Sequence, residues 1–342
     1  MSGVRRKALE RFLGRRIAPS FAVLLLTASL LLGACRKSSA APAQPFAPAS
    51  ATVLDPPATM PAAPRINTPR AWEYVKEFVA IGKRPLNSPG HQQAEQYITQ
   101  KLQSAGVSVE RDAFQGDTAA GRFPIANLIG KIPGRKDGII VLAGHYDTNY
   151  PLRDTSYVGA NDGGSTTGLL LELAQTLQAT THGGKLDGCS VWFVFTDAEE
   201  AMVDWTDADS VYGAKHLAAQ WKADGTAARI HALILLDMIG DADLNVDRET
   251  GYSTPWLQQT VYRAAQRLQL ETYFYGRDAG IEDDHKPFAA AGIPVVDLID
   301  LDYGPANVYH HTTQDTLDKL SPKSLEIVGN TVLETLRAIN TR

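Results

Sequence analysis

Cysteine is almost absent from these 342 residues, with only Cys35 and Cys189 present. Two thiols, one of them closing an N-terminal apolar run, cannot build a disulfide framework. A basic surplus is absent as well: 33 lysines and arginines face 38 acids, for a formal net charge of −5. Removal of residues 1–34, expected below, takes away six basic residues and Glu10, leaving 27 against 37 and a net charge of −10. So acidic a surface argues against nucleic acid as a partner. No internal repeat is visible, which argues against a solenoid.

What is present begins with an address. Arg5, Arg6, Lys7, Arg11, Arg15 and Arg16 form a basic region, and Ile17 to Ala34 is an apolar run. This is the pattern of a secretory signal. Its ending, Leu32-Gly33-Ala34-Cys35, resembles a bacterial lipobox. The resemblance implies cleavage before Cys35 and acylation of that cysteine; an uncleaved membrane anchor is the alternative. The expected location is outside the cytoplasm, lipid-anchored to the bacterial cell envelope, on the periplasmic side if there is an outer membrane. Residues 35–65 then form an Ala/Pro-rich linker, expected to be an extended, disordered spacer. The remainder, 66–342, fits one large α/β domain, and a monomer is expected.

Within it, Val191 to Phe195 is an unbroken β-branched and aromatic run. Such a run reads as a strand buried on both faces. Ile230–Leu236 and Ile293–Ile299 read the same way, and shorter strands are expected around 107–114, 125–132 and 138–143. Helices are expected from Thr68-Pro69, around Ala94–Leu102, through Leu169–Leu177, over 210–222, 254–268 and 286–291, and along the final Leu325–Ile339 stripe. Residues 272–275 read as extended. Strands alternating with helices predict a mixed, largely parallel central sheet flanked by helices on both faces. Cys189, at the start of a buried strand, reads as a small core residue.

The chemistry is concentrated where apolar strands end. Val191–Phe195 runs straight into Thr196-Asp197-Ala198-Glu199-Glu200. Three acids at the end of a buried strand are costly unless a cation meets them. One glutamate then binds a metal and the other handles protons; a solvated acidic loop is the alternative for this stretch alone. His145-Tyr146-Asp147 follows another strand and suits a ligand with an orienting carboxylate. Asp162 lies among the glycines of 159–164, Asp237 closes the 230–236 strand, and His310-His311 precedes Thr312. Any one of these is compatible with a structural role. Together, each at the end of an element, they converge on one sheet edge.

The order HYD, NDGG, EE, LLDMIGD and HHTTQDT resembles the co-catalytic zinc exopeptidases of the aminopeptidase superfamily. Two stretches narrow the resemblance to its glutaminyl cyclase branch of the animal type. These are Glu199 to Trp205, continuing to Leu217, and Glu282-Asp283-Asp284-His285-Lys286-Pro287-Phe288. The resemblance implies one zinc per chain, held by Asp162, Glu200 and His311, with Glu199 as proton shuttle. It implies that Asp237 and Asp283 form a carboxylate pair at the substrate end and that Trp205 walls the pocket. Glu282, Tyr303 and His310 are the further substrate contacts; Tyr303 and Tyr309 also suit packing roles.

The chain departs from the family pattern at His310, where a tryptophan is usual, and at Glu282, where glutamine is usual. The implied reaction is cyclisation of an N-terminal glutamine of a peptide or protein to pyroglutamate with loss of ammonia. Two readings compete with it. A two-zinc aminopeptidase would use the same residues with His145 and Asp237 on a second zinc. A non-catalytic ectodomain would be expected to have lost ligands or the base, and none is missing.

Overall fold

The inner strands are apolar along their whole length because each of their faces receives a helical layer. The computed structural model describes residues 54–341. The expected signal segment, Cys35 and the linker up to residue 53 lie outside them. The strands are β1 (Ser108–Thr118), β2 (Gly121–Ile132), β3 (Ile139–His145), β4 (Ser190–Thr196), β5 (Ile230–Asp237), β6 (Val246–Glu249), β7 (Phe274–Ala279) and β8 (Val295–Ile299). The main sheet has the order β1-β2-β4-β3-β5-β8. Its β1–β2 hairpin joins β4 antiparallel, and β4, β3, β5 and β8 run parallel. This is the mixed, largely parallel sheet expected.

The helices are α1 (Thr68–Val79), α2 (Pro89–Ser104), α3 (Gly164–Gln178), α4 (Tyr212–Asp224), α5 (Pro255–Arg267), α6 (His285–Ala290) and α7 (Pro322–Ile339). Alternation along β3 divides the core between them. Ile140 and Leu142 join one apolar cluster with α1, α3, α5 and α7, while Ile139, Val141 and Ala143 join another with α4 and α6. Helix starts are set locally: the Asn67 side chain accepts from Arg70 N, and Ser88 Oγ accepts from His91 N, each satisfying a free first-turn donor.

Successive strands leave β3 in opposite directions, β4 on one flank and β5 on the other. The chain thus has its topological switch point at the carboxyl end of β3, where open α/β sheets place a ligand crevice. Among the described residues no helix is long and apolar enough to cross a membrane.

Two expectations need correction. The spacer was expected to extend to residue 65, yet 54–65 lies against the domain. Leu54 is buried in the main core, Asp55 pairs with Arg267 at 2.5 Å, and Arg337 Nη1 donates to Met60 O at 3.2 Å. The buried leucine, the Asp55 pair with α5 and the Met60 carbonyl bonded from α7 dock a proline-rich chain that has little entropy to lose. The short β6 was not foreseen. Its Val-Asp-Arg-Glu sequence carries no apolar alternation, and it is held to β7 partly by a two-pronged ion pair between Arg277 and Asp247 at 2.8 and 2.7 Å. Extended backbone at 272–275 begins only at Phe274, after a 3₁₀ turn at Glu271–Tyr273.

Candidate metal centre and catalytic pocket

Sheet register brings the acids together. Ala143 pairs with Leu235, so His145 and Asp237, each two residues further, end level and on the same face. On the other flank His145 pairs with Thr196, which sets the 197–200 turn beside it. The imidazole is enclosed by carboxylates. Its Nε2 lies 3.0 Å from Asp162 Oδ1 and 3.4 Å from Asp237 Oδ1, and its Nδ1 lies 3.5 Å from Asp147 Oδ1. Burial opposes its charging, but these acids hold its pKa well above the usual histidine range.

Asp162 faces two ways. Its Oδ1 meets His145, and its Oδ2 lies 3.3 Å from His311 Nε2 and accepts the Tyr157 hydroxyl at 2.6 Å. Burial resists its ionisation, yet the two imidazoles keep it well below the ordinary carboxylate range. The loop beneath is fixed by Asp315, which accepts the backbone N–H groups of Asn161 at 2.8 Å and Asp162 at 3.2 Å. Gly163 is required here: its φ is +75°, and a Cβ would come within 2.9 Å of Asp147 O.

The tandem glutamates are aimed by Asp147, whose two oxygens accept Glu199 N at 3.2 Å and Glu200 N at 3.4 Å. Glu200 Oε2 lies 3.2 Å from His311 Nε2 and accepts from Asn149 Nδ2 at 2.9 Å. Burial raises the Glu200 carboxyl and raises that of Glu199 further, with Asp283 and Glu200 adding to the latter. Burial works against the His311 cation too, but Glu200 and Asp162 outweigh it and push its pKa up to about 11. Backbone strain marks the same places: Ala198, Met238 and His311 have φ of 52°, 47° and 52°. Non-glycine residues held there imply a surrounding structure that over-determines them.

These groups open onto a pocket of about 330 Å³, lined on the acidic side by Asp162, Glu199, Glu200, Asp237 and Asp283, and on the other by Trp205, Glu282, His310 and His311. Trp205 is 41% exposed, unusual for so large a ring, and stands at its mouth. Burial, then the repulsion of Asp283, lifts Asp237 to about 7 against the pull of His145. Burial raises Asp283 as well.

Tyr303, expected as a substrate contact, is fully buried and outside the pocket lining; its hydroxyl donates to Asp315 Oδ1 at 2.8 Å. The reason is the Asp315 carboxylate, which needs a donor deep under the Asp162 loop. Asp197 is likewise withdrawn from the pocket. It accepts from Ala126 N at 2.8 Å and lies 2.7 Å from His91 Nε2. Sequence reasoning missed His91, Asn149 and Tyr157. The last two lie in the 148–158 loop, where no spacing marks them.

The donors fit a metal. Glu200 Oε1, Asp237 Oδ1 and both His145 ring nitrogens are buried without hydrogen-bond partners, a costly state unless a cation is shared among them. Asp162, Glu200 and His311 form a mixed oxygen and nitrogen set facing the pocket, the composition of a catalytic zinc site with one position left open. His145, Asp162 and Asp237 form a second set, with ligand atoms within 4.8 Å of one another.

Residues 127–336 match the family model described as Peptidase family M28. The glutaminyl-peptide cyclotransferase of Drosophila melanogaster is 30% identical over 247 residues, covering 66% of this chain and 69% of that protein. The glutaminyl-peptide cyclotransferase-like protein of Mus musculus is 31% identical over 284 residues, covering 76% and 73%. The crystal structure of an Acidobacteriales bacterium glutaminyl cyclase superimposes with a TM-score of 0.79 at 46% identity, covering 84% of this chain and 99% of that one. The chain belongs to peptidase family M28, in the branch of its glutaminyl-peptide cyclotransferases.

Proposed function

We propose that this chain cyclises the N-terminal glutamine of peptides and proteins to pyroglutamate with release of ammonia, using one zinc held by Asp162, Glu200 and His311. The observation that carries the reading is the arrangement of Glu199. It sits beside the three donors, shares a pocket with Asp237, Asp283 and Trp205, and is aimed by a backbone bond to Asp147. Zinc in that set supplies Lewis-acid polarisation of the glutamine side-chain carbonyl.

The remaining work falls to side chains. Glu199 takes a proton from the attacking α-amine and returns it to the departing nitrogen, so ammonia leaves and no water is consumed. Asp237 and Asp283 retain a shared proton at neutral pH and donate a hydrogen bond to the substrate amide without adding a full negative charge. Trp205, with His310 in place of an aromatic wall, closes the pocket over the substrate.

A two-zinc aminopeptidase is the second reading, favoured by the His145, Asp162 and Asp237 set. Two measurements on the purified protein separate them. The cyclase lowers the mass of a Gln-initial peptide by one ammonia, leaves a Leu-initial peptide intact and carries one zinc per chain. Free leucine released from the second peptide, with no ammonia from the first, assigns the aminopeptidase instead. For location, we propose an exported monomer held to the cell envelope by acylated Cys35; Cys35→Ser should then lose incorporation of labelled lipid.

A further inference from the structure

A second cavity of about 200 Å³ adjoins the catalytic pocket, and Trp205, Glu282 and Asp283 border both. Its own walls are Val211, Pro287 and Ala290, with the Trp205 ring as the partition. Apart from Asp283, which it shares with the catalytic pocket, its charged groups are already committed. Lys286 Nζ pairs with Asp207 and lies 3.0 Å from Glu282, while Lys215 Nζ donates to Asp207 O at 2.5 Å and Ser210 O at 2.8 Å. Away from that shared carboxylate, what remains to meet a ligand is apolar.

The partition is built rather than incidental. Asp209 accepts the backbone N–H groups of Met202, Val203 and Asp204 at 3.0, 2.9 and 3.0 Å, fixing the turn that presents Trp205. Val211 holds φ +47°, a strained setting for a β-branched residue. It does so while its N–H donates to Glu199 O at 2.7 Å. The cavity wall and the catalytic turn are therefore one rigid unit.

We propose that this cavity is a subsite for the side chain of the residue that follows the cyclising glutamine, selecting an apolar one of leucine or phenylalanine size. The inference rests on the cyclase reading. With the glutamine amide and α-amine at Glu199, its carbonyl leads out across the common wall. The next residue begins about 3.8 Å further on, at the Cα spacing of a trans peptide, beside Trp205.

The test compares kcat/KM for Gln-Leu, Gln-Gly and Gln-Asp peptides otherwise identical, in the wild type, in Ala290→Trp, which fills the cavity, and in Ala290→Glu, which charges it. Ala290 is an exposed position on α6, and thermal melts establish that both variants fold. The expected result is about a tenfold preference for Gln-Leu over Gln-Gly and a larger one over Gln-Asp, the size of discrimination one apolar side chain supplies. Both variants should bring the Leu/Gly ratio to within about twofold. Ammonia release with no preference in the wild type overturns the subsite and leaves the cyclase reading standing. So does a wild-type preference unchanged in both variants. No ammonia from any of the three peptides overturns the cyclase reading, and the subsite with it.

Discussion

Two histidines contact the same carboxylate from opposite sides, and their surroundings differ. His145 has a side chain 2% exposed, lies among Asp147, Asp162, Asp237 and Glu199, and does not line the pocket. His311 has a side chain 36% exposed, has Asp162 and Glu200 as its carboxylate neighbours, and lines the pocket. A metal on the His311 side has an open approach for substrate, whereas one on the His145 side would be roofed by acids. Asp162 and Asp237 lie 3.0 and 3.4 Å from the His145 Nε2, and Asp147 lies 3.5 Å from its Nδ1, so no side of the ring is left open. The same residue types thus form one set open to the pocket and one closed set behind it.

The largest effect should come from His311→Ala, which removes a donor and leaves Asp162 and Glu200 facing each other. Zinc content and turnover should fall together, turnover to near background. Full zinc occupancy in that variant would mean that the His145 side holds the ion, inverting the comparison. Next comes Glu199→Gln, which leaves the donors in place and removes the proton carrier. Turnover should drop by about 10²–10⁴-fold with zinc retained and KM little changed. Zinc loss in Glu199→Gln would make it a ligand.

His145→Ala sharpens the contrast. It leaves Asp237 buried without its cationic neighbour, and breaking a buried pair costs up to about 3–5 kcal/mol of stability. Zinc measured per folded chain should nevertheless stay near one equivalent. Wild-type protein with two tight zincs, one of them lost in His145→Ala, would move the assignment to the two-zinc reading.

The fold was legible because β3, β4, β5 and β8 are apolar on both faces, a demand the sequence can meet only with unbroken runs. The acids were legible because each stands where such a run stops. What was not legible is support at a distance. Asn149 and His91 act through contacts 51 and 106 residues away in the chain, and nothing in their own neighbourhood distinguishes them; Tyr157 stands only five residues before Asp162 but in a loop with no periodicity to mark it. The docked 54–65 segment escaped for a related reason. Composition describes what a stretch lacks, whereas its docking depends on partners contributed by α5 and α7.

Tyr303 separates the two kinds of contribution with the smallest expected effect. Its ring is fully buried, and its hydroxyl is one of two donors to Asp315 Oδ1, the other being Asn161 N at 2.8 Å. Burial and the nearby Asp162 push the Asp315 carboxyl up to about 7 even with these donors in place, so losing one makes an already disfavoured charge harder to keep. Tyr303→Phe preserves the ring, its packing against Tyr309 and the shape of the core, and deletes only that bond. A buried hydrogen bond to an ionised group is worth about 1.5–3 kcal/mol; protonation of Asp315 limits the loss, so about 1–2 kcal/mol is expected in a denaturant titration. KM for a Gln-initial peptide should be unchanged, because the hydroxyl points under the Asp162 loop and away from the pocket. A raised KM with unchanged stability would return Tyr303 to the substrate and show that the loop does not depend on it.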